Sequence, residues 1–411
     1  MEAGGDAIAI TGVGAVTPFG VGAELLFERW VAGESAIHNG IAAASDFDPA
    51  DHLSRKEIRA ADRFTQMTLV AAEEAIRAAG WRDAPPCPPE RIGSVIATGV
   101  GGLETIEEQF DVFRENGPRR LSPLGVVRLM PNAATASAAI RYGWRGETCT
   151  VSAACAAGLQ ALGAGVRMIQ TGSIDAVAVG ASDATLTEFT VAAFDVMGAV
   201  SESGNCRPYD RRRDGFIPGE GAGVLLLERA SGAAARGAEP LATLNGYGAT
   251  TDAHDLAAPP PGGDGITRAI RLALESARLE PGDIDYVNSH GASSLVGDQV
   301  ETSAIKDSLG QRARTVPVSS TKSVIGHLQT AAGAVEAIAT VLAVRHGVAP
   351  PTVGLEQQDP ELDLFYVPGE PVPITDGSGK HARAGLSFCF GLGGHNAAVI
   401  VSVADGNGAV A

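Results

Sequence analysis

Short β-branched apolar runs alternate with helical apolar spacing along the whole chain, and this alternation limits the fold more than any other feature. Residues 7–14 are a buried-strand run ending in glycines, and residues 21–32 then carry helical spacing. A proline-rich linker at 82–90 precedes the strand run 91–98, and further strand runs lie at 175–180 and 223–228. After the small, polar stretch 230–239 the pattern restarts, with strand runs at 241–248, 284–288 and 316–320 and helical spacing at 265–278, 299–310 and 331–346. Residues 383–403 hold two strand runs around Gly391, Gly393 and Gly394. Strands interleaved with helices in both halves predict an α/β chain of two units with mixed sheets, divided as 1–235 and 236–411. No identity between the halves is visible, and no short repeat.

Charge and cysteine usage narrow the function. A net charge of −17 argues against a nucleic-acid or anionic-membrane role for the surface as a whole. Against that acidic background, Arg55, Lys56, Arg59 and Arg63 form one basic stretch, and Arg119 and Arg120 another. The five cysteines, Cys87, Cys149, Cys155, Cys206 and Cys389, are scattered without metal-ligand spacing, so reduced thiols and no structural metal are expected. The first six residues are acidic where a signal peptide needs positive charge, and the longest apolar helical run is interrupted by Glu336. A cytoplasmic location, away from membranes, is the expectation.

Cys155 is where the chemistry gathers. The run Thr148-Cys149-Thr150-Val151-Ser152 leads through alanines into a helix of small residues, which puts Cys155 at a strand-to-helix turn. The helix dipole and free backbone N–H groups there favour thiolate and can hold an oxyanion. A lone buried cysteine is more often inert packing. Here, however, Val287-Asn288-Ser289-His290-Gly291 ends a second strand with a histidine. Lys322-Ser323-Val324-Ile325-Gly326-His327 follows a third. Each alone could be a loop histidine or a solvated charge. Together they supply a nucleophile, two imidazoles and a cation at the sheet edge where α/β folds place sites.

With these motifs in view, the chain resembles the elongating β-ketoacyl-acyl-carrier-protein synthases of type II systems. The resemblance is carried by five stretches in the family's order. They are the turn from Val151 to Gly158, the segment from Cys206-Arg207-Pro208-Tyr209-Asp210 to Gly223, Val287 to Gly291, Lys322 to Glu336, and Phe390-Gly391-Leu392-Gly393-Gly394-His395-Asn396. It implies a thiolase-like fold, two similar α/β halves whose mixed sheets pack in alternating layers with helices. It also implies a condensing enzyme that holds an acyl chain on Cys155 and joins it to malonyl on a carrier-protein pantetheine arm, with loss of carbon dioxide. No cofactor beyond that arm is implied.

Carried over position by position, the resemblance implies Cys155 and Leu392 backbone N–H groups as the oxyanion hole, and His290 and His327 as donors to the malonyl thioester carbonyl. Lys322 would set the local electrostatics with Glu336 as counter-ion. Phe216 would line the acyl entrance, and Asp210, Arg213 and Glu220 would make structural ion pairs. Lys56, Arg59, Arg119 and Arg120 match carrier-docking cations. A homodimer, or a heterodimer with a chain-length-factor subunit, is implied as well.

Three departures stand out. Ala292 replaces a pantetheine-contacting threonine, leaving Ser294 for that contact, and Leu392 stands where a phenylalanine gate is usual. The preceding Phe388-Cys389-Phe390 is also unusual. These leave fatty-acid elongation and polyketide or polyene synthesis both open. The alternatives are a non-catalytic chain-length-factor-like subunit, opposed by the retained Cys155, His290, His327 and Lys322, and a degradative thiolase, for which Cys389 is a superficial second cysteine.

Overall fold

The computed structural model describes residues 6–375 and 384–403. The first five residues, part of the acidic N-terminus, and position 383 of the last strand run lie outside the described residues. Among the described residues, ten strands form the main path of an eleven-stranded sheet: β1 (Ile8–Thr17), β2 (Ile92–Ala97), β3 (Thr148–Cys149), β4 (Ala176–Asp183), β5 (Gly221–Arg229), β6 (Ala242–Thr251), β7 (Tyr286–Asn288), β8 (Val318–Ser319), β9 (Ala384–Gly391) and β10 (His395–Ser402). The two-residue strand Gly20–Val21 pairs with β1.

Their order is β3-β2-β4-β5-β1-β6-β10-β9-β7-β8. The two halves repeat one strand order, read inwards from each outer edge. On one side β3, β2 and β4 run parallel, then β5 and β1 antiparallel. On the other β8, β7 and β9 run parallel, then β10 and β6 antiparallel. The mixed sheets of the two halves are not separate: β1 and β6 pair antiparallel through Ile8–Leu244, Ala9–Thr243 and Ile10–Ala242. That pairing removes what would be an open edge on each half.

Four helices explain how the sheet is covered: α1 (Arg63–Ala79), α2 (Ala157–Gln170), α3 (Asp264–Ala277) and α4 (Ala331–His346). In β1, side chains at Gly12 and Gly14 would sit about 2.2 and 2.1 Å from the Ala75 and Ala71 carbonyls of α1. In β6, Gly246 and Gly248 meet the Ala273 and Ala269 carbonyls of α3 in the same way, at 2.3 and 2.1 Å. Each half therefore uses a Gly-x-Gly strand to let a helix backbone lie directly on the sheet.

The other pair, α2 and α4, cross where Gly158 faces Thr330, Gly333 and Ala334, and Gly333 faces Leu159. Every residue of α4 from Ala331 to Val344 is buried, as expected for a helix that is apolar all round. Its interruption, Glu336, is therefore a charge in the middle of the core. Among the described residues, no helix is long and apolar enough to cross a membrane.

Several sequence boundaries shift. The stretch around Arg55 and Lys56 forms a short helix, Arg55–Ala60, closed by a Ser54/Glu57 capping box. Helices Leu103–Asn116, Ala133–Tyr142 and Glu188–Val196 fill regions with no assigned element in the sequence reading. The helix read at 299–310 begins earlier, as Leu295–Leu309, because Ser294 caps it by accepting from the Gly297 N–H at 3.1 Å.

Candidate active site

Cys155 lies in the turn Ala154–Ala156 that feeds α2, with Ala154 in the left-handed region at φ 48°. The end of β9 packs directly on it. A side chain at Gly391 would come within 2.8 Å of the Cys155 nitrogen and 3.1 Å of its sulfur, so only glycine brings this strand end so close. Leu392 follows on the turn that closes the β9–β10 hairpin, which places the two backbone N–H groups of the expected oxyanion hole on adjoining segments.

His327 Nε2 is 3.1 Å from Cys155 Sγ. Its Nδ1 accepts from the Gln329 N–H at 3.1 Å, which assigns the proton of the neutral ring to Nε2. The ring therefore donates towards the sulfur and the space beside it. His290 stands at right angles to His327, with ring centroids 5.4 Å apart, and is backed by Phe390 at 4.4 Å. His290 Nδ1 is buried with no hydrogen-bond partner, leaving the other ring nitrogen as the working group. Phe216 closes on His327 edge-to-face at 5.3 Å, itself held by Phe194 at 5.4 Å.

Behind the histidines, Lys322 Nζ and a Glu336 oxygen form a buried ion pair, both side chains 1% exposed. The second Glu336 oxygen accepts from the Cys389 thiol at 3.0 Å. Burial works against the Lys322 charge, but Glu336 outweighs it and holds the ammonium above its usual range. Burial and then the Lys322 charge hold His290 well below the usual imidazole range, and the same two causes act on His327. Both rings are therefore neutral at neutral pH, and His327 carries its proton on Nε2.

The thiol departs from the sequence reading. Burial pushes Cys155 up to about 12, and the Lys322 charge offsets only part of this. The helix start and the Lys322 charge together do not offset the burial around the sulfur, which holds the thiol above its usual range. The group at rest is a thiol that becomes an anion only as it attacks.

Two cavities meet at Cys155. One, of about 440 Å³, contains His290, His327, Phe216, Phe390, Ala292 and Ser294. The other, of about 490 Å³, is walled mainly by Val100, Leu103, Phe189, Ala193, Phe194 and Met197. Cys155, Phe194, Met197, Gln329 and Leu392 line both. Ser294 reaches the first cavity, although its oxygen is also engaged as a helix cap. Cys389 lines neither; it faces the buried Glu336, which removes the basis for a thiolase-type second cysteine.

A nucleophile between two chambers, with two neutral imidazole donors on one side and apolar walls on the other, is the arrangement that acyl-thioester condensation needs. Comparison with known proteins agrees. Residues 38–233 match the model of the β-ketoacyl synthase N-terminal domain and residues 241–356 that of the C-terminal domain.

The chain belongs to the β-ketoacyl synthase family.

The synthase is 37% identical over 409 residues to 3-oxoacyl-[acyl-carrier-protein] synthase 2 of Staphylococcus aureus, covering 96% of this chain and 97% of that relative. It is 38% identical over 408 residues to the enzyme of the same name from Synechocystis sp., covering 95% and 96%. Among solved structures it resembles a type II polyketide ketosynthase in complex with its acyl-carrier protein and bound to the hexaketide. That match has TM-score 0.87 and 29% identity, covering 97% of this chain and all of that one. The ishigamide ketosynthase/chain length factor matches with TM-score 0.87 and 30% identity, covering 97% and 100%. The synthase is thus an acyl-transferring condensing enzyme with the thiolase-like α/β fold.

The expected ion pairs are present, and Arg213 also donates to the Ser294 and Leu295 carbonyls beside the first chamber. Glu220 pairs with Arg63, Asp210 with Arg212, and Arg213 with Asp359. Arg55, Lys56, Arg59, Arg119 and Arg120 are all exposed. Gln329, whose N–H orients His327, escaped the sequence reading; its only signal was its place two residues after the histidine.

Leu392 is 38% exposed and stands in the wall between the chambers. Phe388 is core and Phe390 covers His290, so neither supplies bulk at that point. Leu392→Phe is expected to slow loading of rigid or polyunsaturated acyl chains more than short saturated ones, measured as relative rates of acyl-enzyme formation. Equal effects on both classes would contradict a gating role.

Proposed function

We propose that this enzyme condenses an acyl chain held on Cys155 with malonyl carried on an acyl carrier protein, extending the chain by two carbons and releasing carbon dioxide. The observation that carries this is the junction itself, with Cys155 Sγ 3.1 Å from a donor nitrogen of His327 and open to both chambers. In loading, Cys155 attacks the acyl thioester; a new C–S bond forms and the thiol proton leaves with the pantetheine sulfur. The oxyanion is held by the Cys155 and Leu392 N–H groups. Malonyl then enters beside His290 and His327. The carboxylate leaves as carbon dioxide, and its electron pair forms an enolate whose oxygen both imidazoles stabilise. The enolate carbon attacks the Cys155 thioester and expels the thiolate, which takes a proton from water. The scheme uses protein side chains and pantetheine-borne substrates alone.

Two partners belong to the proposal. Arg55, Lys56, Arg59, Arg119 and Arg120, exposed on an acidic protein, suit an acidic carrier protein. A second thiolase-like chain, identical or of the chain-length-factor kind, suits the exposed apolar face of Leu103–Asn116 and Glu188–Val196. Phe110 is 56% and Val196 89% exposed there, and Thr187 Oγ1 donates to Glu107 at 2.7 Å to tie the two helices together. The five unpaired thiols fit a reducing cytoplasm.

Incubating the protein with acyl- and malonyl-carrier proteins should give a β-ketoacyl carrier product of the mass expected for two added carbons. No product with any acyl chain would sink the proposal. In the same assay, charge reversal at Arg119 and Arg120 should slow association and flatten its salt dependence. Unchanged kinetics would mean that these are ordinary solvated charges.

A further inference from the structure

Cys389 is a buried thiol that the proposed chemistry does not use. It stands two residues before Gly391 on β9, so the two positions face the same side of the strand. Gly391 lies against Cys155, whereas Cys389 lies against Glu336, to whose second oxygen its thiol donates at 3.0 Å. Lys322 Nζ holds the first oxygen. Among the described residues these are the two donors to the Glu336 carboxylate, and Glu336 is the one acceptor of the Lys322 ammonium. The carboxylate is buried, so an oxygen stripped of its donor is costly. Without the thiol, the carboxylate recovers by turning both oxygens onto the ammonium. The ion pair then closes on itself, and less of its positive charge is felt outside.

We infer that Cys389 is a positioning residue: by occupying one oxygen of Glu336 it keeps the Lys322 ammonium singly engaged, so that the positive charge reaches the Cys155 sulfur as it attacks. This rests on the proposed acyl transfer to Cys155 and names a residue that prepares it. The thiol itself touches no substrate, since it lines neither chamber. The charges that reach the sulfur are Lys322, which favours its anion, and Glu336 and Asp183, which oppose it. His327, in contact with the sulfur, and His290 beside it are neutral. Asp183 is held separately by Thr98, Gly99 and Thr330, so a change at Cys389 acts through the Lys322–Glu336 pair.

The test is the rate at which iodoacetamide alkylates Cys155, followed on its own peptide by mass spectrometry across pH, with thermal unfolding as the fold check. Alkylation consumes the thiolate, so the rate reports how readily the sulfur ionises. Cys389→Val keeps the volume without the donor, Cys389→Ala removes both, and Cys389→Ser keeps a donor. Valine and alanine should slow Cys155 alkylation at about pH 8 by about threefold to tenfold, the worth of one net hydrogen bond, and move its profile to higher pH. Serine should restore the wild-type rate to within about twofold, which lost packing alone would not do. The inference is overturned if valine matches or exceeds the wild type, if serine is as slow as valine, or if none of the three variants folds. The assay needs no carrier protein or acyl donor, so its failure sinks this inference alone, whereas failure of the carrier assay sinks acyl transfer itself.

Discussion

Cys155→Ala is expected to leave no acyl adduct on the protein while the fold persists. The substitution removes one sulfur from a turn already built of Ala153, Ala154 and Ala156, and Gly391 opposite has no side chain to lose contact. The measurement is intact mass after exposure to acyl-carrier protein, with thermal unfolding as the fold check. A loss of at least about a hundredfold in adduct formation is expected, since no other thiol faces the chambers. An adduct that persists on the variant would remove Cys155 from the mechanism.

Glu336→Ala is expected to cost stability as well as activity. It would strand the Lys322 ammonium in a fully buried site and leave the Cys389 thiol without its acceptor. Breaking one partner of a buried ion pair typically costs about 3–5 kcal/mol, much of it the uncompensated charge. In the intact protein the Lys322 pKa is raised, so its contribution to stability is fully present at neutral pH and is lost only as pH rises through that raised value. In the variant the opposing Glu336 charge is gone and burial, the largest cause, depresses the Lys322 pKa. The deficit relative to wild type should therefore shrink as pH rises towards about 10, the ordinary lysine range, measured by denaturant unfolding across pH. A deficit that does not change with pH would mean that Lys322 is not the stranded charge.

The chemistry was legible because each reactive residue sits in a short local motif at a strand end: Cys155 before a small-residue helix, His290 beyond β7, Lys322 and His327 beyond β8. The alternation of strands and helices likewise gave the α/β class. The two similar halves came from the resemblance and not from any identity between them; the glycine pairs that recur in both, Gly12/Gly14 and Gly246/Gly248, take their meaning from helices that return from far along the chain. Leu103–Asn116 has helical spacing in Leu103, Ile106, Phe110 and Phe113, but the last three are exposed, so a reading that seeks a core-facing stripe passes over it. The state of the Cys155 thiol was misread for a related reason. The helix start is local and visible, whereas the burial that outweighs it comes from segments such as Gly391 and His327, remote in sequence.

The central claim is a division of labour: Cys155 holds the chain, and two neutral histidines release carbon dioxide from malonyl. Measuring carbon dioxide release from malonyl-carrier protein, without acyl donor and between about pH 5.5 and 8, tests it most directly. Cys155→Ala should continue to release it, because the nucleophile takes no part in forming the enolate, whereas His290→Ala and His327→Ala should lose most of the rate. With both imidazoles held well below their usual range by burial and Lys322, the Cys155→Ala rate should show no fall near pH 6.5, where an ordinary histidine would take up its proton. Release that is lost in Cys155→Ala but kept in the histidine variants would contradict the account.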